Sequence, residues 1–292
     1  MKEQAHRSDR SDMAMPGLAE ETRSRSDRLM AHMSGISTIT IWIRFYEELN
    51  DFLRKSRRKT RFTRIYRHNT SLKDCIESCG VPHTEVDLIL VNGISADFDQ
   101  LINGGDDISV YPVFESLDIS GVTRLMGRPF RDLRFVSDVH LGALAKKLRF
   151  LGFDTEFSNN TSTEALLESV TIEKRVLLTR NRKLLMRRVV NRGLFIRSND
   201  PEEQCVEVMR RFDLIRSIKP FTRCMACNSH LAPVTKEEAL PRLESLTKKY
   251  FFDFSGCTGC GKVYWKGSHY GKLEAFLERV RTSGDPETAH ES

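Results

Sequence analysis

A chain of 292 residues is long enough for two domains or several small ones, and too long for one small compact core. Charged residues make up 29% and hydrophobic ones 39%, which suits a soluble globular protein. No apolar run reaches the roughly eighteen residues of a membrane span. The net charge of +6 and a pI near 8.9 favour polyanionic partners.

The N-terminal stretch MKEQAHRSDRSDM lacks the apolar centre of a secretion signal, so a cytoplasmic protein is expected. Residues 1–38 are rich in Ser, Arg, Asp and Met without periodicity and are expected to form a disordered tail. Order should begin at ITIWIRFY, 39–46, whose alternation reads as a strand. The next segment holds eight Lys/Arg within 54–67 and no acid. SLKDCIESCGV spaces Leu72, Cys75 and Ile76 on one helical face behind Ser71 as N-cap. VDLILVNG and ISVYPVFESL read as further strands. Strands, a helix and more strands within 39–119 predict a β-grasp, ubiquitin-like unit.

Residues 120–132, with Gly127 and Pro129 as breakers, read as a linker. From 133 to 219 strands and helices alternate: LRFVS, LGALAKKLRFLG, FDTEFS, TEALLESVTIEK, RVLLT, RKLLMRRVVNRG, LFIRS and PEEQCVEVMRRFDLI. Asp200 caps the last helix and Pro201 takes its first position. Repeating units of this length predict an α/β domain, a parallel sheet with helices on both faces.

Seven cysteines are present, and four form two C-x-x-C pairs, Cys224/Cys227 and Cys257/Cys260. Without an export signal this spacing favours a metal over disulfides. Four thiolates suit tetrahedral zinc in a closed, structural site, so 220–272 is expected to be a zinc ribbon with a helix inserted near 238–249. His230 and His269 are read as non-ligands, Cys75, Cys79 and Cys205 as small buried side chains. Residues 273–292 should form a C-terminal helix and tail.

In a parallel sheet, residues after the strand ends converge on one crevice. Here they are Asp138, the 158–164 segment, Asn181 and Asn199/Asp200. Clustered carboxylates at such a crevice would bind Mg²⁺ or Mn²⁺ and activate water against a phosphodiester. Glu164 is a possible ligand, or the partner of Thr161 in a capping box. A basic rim is expected from Arg180, Arg182 and Lys183 after the third strand and from Lys146, Lys147 and Arg149 on the first helix. Phe62, Tyr66, Tyr264 and Trp265 are either stacking platforms for bases or core residues.

Three regions of the chain carry a family resemblance. GVPHTEVDLILVNG and NGGDDISVYPVFESLDI resemble the ubiquitin-like domain found ahead of Mut-seven-type C-terminal RNase domains, a relative of sulfur carriers. Sulfur carriers need a free C-terminal Gly-Gly, whereas Gly104-Gly105 is internal, so that chemistry is excluded unless the chain is cleaved. A module that docks a protein partner or contacts RNA is expected instead. FVSDVHLGALAKKLRFLGFDT with RVLLTRNRKLL resembles the PIN-like RNase domain of that family, and FTRCMACN with YWKGSHY its zinc ribbon.

The resemblance implies metal-dependent RNA cleavage, with Asp138 as the first acid and Asp200 as the last. At the two other acidic positions this chain has Ser162/Thr163 and Thr179-Arg180-Asn181. With Thr163 and Asn181 neutral, a ribonuclease of weak activity is expected; the alternative is an impaired RNA-binding protein or a scaffold.

Overall fold

The computed structural model describes residues 38–112, 133–243, 245–267 and 270–283. The expected tail up to residue 37, the 120–132 linker, the chain past 283 and His269 lie outside these residues.

The first unit opens with the antiparallel pair β1 (Thr38–Phe45) and β2 (Phe62–Arg67). Along β1, Ile41, Ile43 and Phe45 are buried while Thr40, Trp42 and Arg44 are exposed, the period of two that a half-covered strand requires. Helix α1 (Leu72–Ser78) packs Leu72, Cys75 and Ile76 into the core, and Ser71 Oγ accepts from Asp74 N at 3.1 Å as its cap. Strands β3 (Val86–Val91), β4 (Ile94–Ser95) and β5 (Asp107–Pro112) complete a sheet ordered β2-β1-β5-β3-β4, with β1 and β5 parallel. This is a β-grasp sheet. Gly105, at φ +87°, turns the chain directly into β5, so the Gly-Gly pair is part of the folded sheet and not a free end.

The second unit alternates β6 (Phe135–Ser137), α2 (Gly142–Phe150), β7 (Thr155–Glu156), α3 (Thr163–Ile172), β8 (Val176–Thr179), α4 (Arg182–Leu185), β9 (Gly193–Phe195) and α5 (Pro201–Arg211). All strand pairs are parallel, in the order β7-β6-β8-β9.

Two local expectations give way here. The helix expected over 182–193 is a single turn: after Leu185 the chain tightens, with Val190 N bonded to Arg187 O at 2.9 Å. Adjacent arginines and two β-branched valines weaken the helix, and buried Val190 packs into the core instead. Gly193 does not close that helix. It opens β9, where an added Cβ would meet Leu185 Cδ2 at 2.4 Å.

A third sheet, antiparallel and ordered β10-β11-β12, is built from β10 (Leu231–Val234), β11 (Phe254–Cys257) and β12 (Val263–Trp265). Short helices α6 (Lys236–Ala239) and α7 (Ser245–Tyr250) fill the long connection. Helix α8 (Tyr270–Thr282) returns to the parallel-sheet unit and buries Phe276, Leu277 and Val280 in its core. It is therefore a core element of that unit.

The three sheets are joined by polar contacts that reach into each other's backbones. Glu85, ahead of β3, accepts from the Phe195 amide of β9 at 2.7 Å and from Arg197 Nη2 at 2.9 Å. His83 Nε2 donates to the Val190 carbonyl at 2.9 Å, and Arg182 donates to the Phe52 carbonyl at 2.9 Å. On the opposite edge, Asn228 of the first cysteine knuckle accepts from Thr155 N at 3.0 Å and donates to Asp154 Oδ1 at 2.8 Å. One edge of the parallel sheet is thus capped by the β-grasp unit and the other by the ribbon.

Asp154 has a pH consequence. Burial pushes its carboxyl up, but Arg175 and Asn228 outweigh that and hold it below its ordinary value. A depressed carboxylate contributes stability that is present above its unfolded value of about 3.9 and is lost as pH falls through the lower folded value. Asp154→Asn should therefore flatten the acid limb of a melting-temperature profile below about pH 4. An unchanged limb would place the acid sensitivity elsewhere.

Candidate functional site

The strand ends of the parallel sheet share one local device: the residue entering each following helix is a side-chain N-cap. Asp138 Oδ1 accepts from His140 N at 2.9 Å, and Ser162 Oγ from Ala165 N at 3.2 Å. Asn181 Oδ1 accepts from Lys183 N at 3.1 Å, and Asp200 Oδ1 from Glu202 N at 2.8 Å and Glu203 N at 3.0 Å. Asn, Asp and Ser are near-equal caps, so an amide or hydroxyl at these points keeps the helix start while removing the charge.

The expected capping box of Thr161 with Glu164 is absent, because Ser162 is the cap and Thr161 donates to Ser158 O at 3.3 Å. Thr163 is the first residue of α3, and both it and Glu164 are exposed.

Asp138 is the buried member of the set, 7% exposed. Its second oxygen accepts from Thr179 Oγ1 and, at 3.3 Å, from Arg180 N. Thr179 Oγ1 in turn accepts from Asn181 N at 2.9 Å. Asp138 and Asn181 are therefore linked through one hydroxyl. His140 contributes its backbone amide and has an exposed side chain.

Asp200 is fully exposed, and its two backbone donors, Glu203 and Glu202, hold its carboxyl below the usual range. Among the described residues, no three carboxylate or imidazole groups gather closely enough to hold a metal. Asp138 already accepts from three protein donors, and Ser162 and Asn181 bring no charge. These residues fit Mg²⁺ or Mn²⁺ poorly, because such ions require several hard anionic oxygens.

The six basic residues expected at the rim divide by their contacts. Lys146 and Lys183 are exposed. Arg180 donates to the Ser198 carbonyl and ties the ends of β8 and β9 together. Arg182 is exposed but its Nη1 is bonded to Phe52 O. Lys147 pairs with Glu202 at 2.9 Å and lies over Phe276.

Arg149 does not belong to the rim. It is 3% exposed, and its guanidinium donates to the carbonyls of Thr155 at 2.8 Å, Met225 at 3.2 Å and Ala226 at 2.8 Å. Its position on α2 turns it towards the cysteine knuckle, where open carbonyls receive a planar fork of donors.

The aromatic residues also separate. Phe62 and Tyr66 are half-buried against the β-grasp core, and Tyr66 Oη donates to Cys75 O at 3.1 Å. Tyr264 Oη lies 3.1 Å from Cys224 Sγ, while Trp265 remains 38% exposed. Burial pushes the Cys75 and Cys205 thiols up to about 12, which leaves them unreactive near neutral pH.

The metal centre is of the other chemical type. The sulfurs of Cys224, Cys227, Cys257 and Cys260 all lie within 4.8 Å of one another. Cys224 and Cys260 are 3.7 Å apart, and Cys227 and Cys257 3.3 Å. A tetrahedral zinc with bonds of about 2.3 Å spaces its sulfurs by about 3.8 Å, so the cage fits zinc with little adjustment. Amides of Gly259 and Cys260 donate to Cys257 Sγ, each at 3.4 Å.

Hydrogen bonding from Ser229 pulls the Cys227 thiol down to about 5. Cys260 is pushed up to about 12 despite the Lys262 amide, by burial and its three neighbours. Four sulfurs this close cannot all ionise without a cation between them. His230 is not part of the cluster.

Comparison with known families bears on all three sheets. Residues 38–118 match the Mut7-C ubiquitin family and residues 133–277 the Mut7-C RNAse domain family. The second match runs through the ribbon and into α8, in keeping with the way both pack on the parallel sheet. No curated protein matches the chain. No described helix is long and apolar enough to cross a membrane. The chain joins a Mut7-C ubiquitin domain to a Mut7-C RNAse domain that carries a four-cysteine zinc ribbon, and it belongs to that family.

Proposed function

We propose that this protein acts in the cytoplasm on RNA through its RNase domain, binding RNA and cleaving it only weakly. The family match supports RNA as the substrate class. The observation that carries the reading is the set of four helix caps at the strand ends, of which Ser162 and Asn181 are neutral. Such a site keeps its fold without the charge that gathers Mg²⁺ or Mn²⁺. Lys146 and Lys183 remain exposed for phosphates, and affinity of that kind falls steeply with salt.

The test is restoration. Ser162→Asp with Asn181→Asp replaces caps by equally good caps at exposed positions, so the melting temperature without metal should move by no more than a few degrees. With Mn²⁺ the double variant should bind the ion measurably and cleave single-stranded RNA at least tenfold faster than the natural chain. Rapid Mn²⁺-dependent cleavage by the natural chain, abolished by Asp138→Asn, would establish the competing reading of a fully active metal-dependent ribonuclease. The Thr179 bond to Asp138 favours the impaired site, since it competes with a metal for that carboxylate.

A further inference from the structure

The β-grasp sheet has one face packed on α1 and one face outward, and the outward face is neither plain nor neutral. Alternation along β1 and β5 sends Ile41, Ile43, Ile108 and Val110 inward and Trp42, Arg44 and Tyr111 to the other side. Trp42 is 39% exposed there, beside Ile65 at 69%. The Arg61 guanidinium lies 4.1 Å from the Trp42 ring centroid and is held in place by Asp107 at 3.0 Å. Arg44 lies 4.8 Å from the Tyr46 ring, and Tyr46 stacks on Tyr111 at 4.2 Å and 16°. Flat π and guanidinium surfaces thus stand beside one another across three paired strands.

We propose that this face binds single-stranded RNA, with bases stacking on the Trp42–Arg61 and Tyr46–Tyr111 planes and phosphates meeting Arg44 and Arg67, which alternation along β1 and β2 puts on the same side. The inference rests on the RNA reading above and extends it to a second surface on the same chain. Stacking on aromatic and guanidinium planes takes any base, and it requires unpaired strands, because bases within a duplex are already stacked.

Charge selects RNA over a protein partner. Among the described residues, Arg44, Arg61 and Arg67 lie on this side of the sheet against the single acid Asp107, whereas protein-binding patches usually place an apolar centre away from charge. Basic residues on β2 also blunt an exposed sheet edge, but that need does not extend to Trp42 and Arg44 on the interior strand β1.

The test uses the full chain. It has two tryptophans, so Trp265→Phe leaves Trp42 as the only fluorescent indole without touching the face. A single-stranded oligonucleotide should quench that signal saturably, and a blunt duplex of equal length should not. Trp42→Thr and Arg44→Thr put a β-branched strand former at each position, and each should weaken binding of a labelled strand about tenfold. Arg44→Thr should also lower the salt slope by about one.

Circular dichroism melting checks that both variants fold, and the Trp42 quench stands independently of them. If the strand binds with unchanged affinity in both variants and leaves Trp42 unquenched, the face is not the site, while the RNA reading survives. If the natural chain binds no RNA at all, both fall. Stronger quenching by poly-glutamate than by RNA would make the face a protein-docking surface and overturn the proposal.

Discussion

Glu85→Ala should destabilise the protein by about 3–5 kcal/mol, the cost of removing one partner from a buried ion pair. The side chain of Glu85 is 3% exposed, and its two oxygens serve two donors on the neighbouring domain, the Phe195 amide and Arg197. Without it, a backbone N–H on the edge strand β9 loses its acceptor. Arg197 and the nearby Arg211, which donates to Thr84 O at 3.2 Å, then face each other with less compensating charge. Glu85→Gln should cost less, because an amide oxygen still accepts from Phe195.

The measurement is thermal and chemical unfolding followed by circular dichroism. The natural chain should unfold with the two domains coupled, and Glu85→Ala should lower the first transition by roughly 6–20 °C and split the curve in two. A single transition within a degree of the natural one would mean that this contact carries no weight. The contact also bears on the crevice, since it fixes β9 and through it the loop that carries Asp200.

Zinc should have the larger effect. The ribbon has a small core, Ala239, Leu243, Phe254 and Val263, which cannot hold a three-stranded sheet alone. Binding energy for a structural four-thiolate zinc is on the order of 10–16 kcal/mol and is folding energy in such a module. Elemental analysis should find one zinc per chain, and a strong chelator or Cys224→Ser should unfold the ribbon.

The damage should not stop at the ribbon. Arg149, buried in the RNase domain, donates to Met225 and Ala226 inside the first knuckle, and Thr155 of β7 depends on Asn228. A loosened knuckle leaves a buried guanidinium short of acceptors, so the RNase domain should melt at least 10 °C lower as well. Protein stripped of zinc that melts unchanged would overturn both the structural role of the metal and the coupling.

The order of modules was legible in the residues because its signals are local. Leu72, Cys75 and Ile76 at helical spacing, the alternation through Ile41 and Ile43, and two C-x-x-C pairs each depend on neighbours within a few positions. Strand ends could be located in the same way, which brought Asp138, Asn181 and Asp200 together as one group. Their common use as helix caps is legible for Asp200, where a proline follows, and for Asp138 as an alternative to a metal ligand. For Asn181 a lost carboxylate was the more prominent signal, and the cap became visible only in its bond to Lys183 N.

What tertiary structure alone decided is where each polar side chain ends. Arg149 and Lys146 sit on the same helix with the same charge, yet one is buried against the ribbon and the other is exposed. Glu85 and Phe195 are 110 positions apart, Thr155 and Asn228 are 73 apart, and no pattern within either segment announces its partner. Trp42 obeys the same strand alternation as its buried neighbours, but its place beside Arg61 and Asp107 comes from sheet register. The physical reason is the range of the forces: propensity and periodicity act along the chain, whereas a charge or an amide is satisfied by whatever folding brings within about 3 Å.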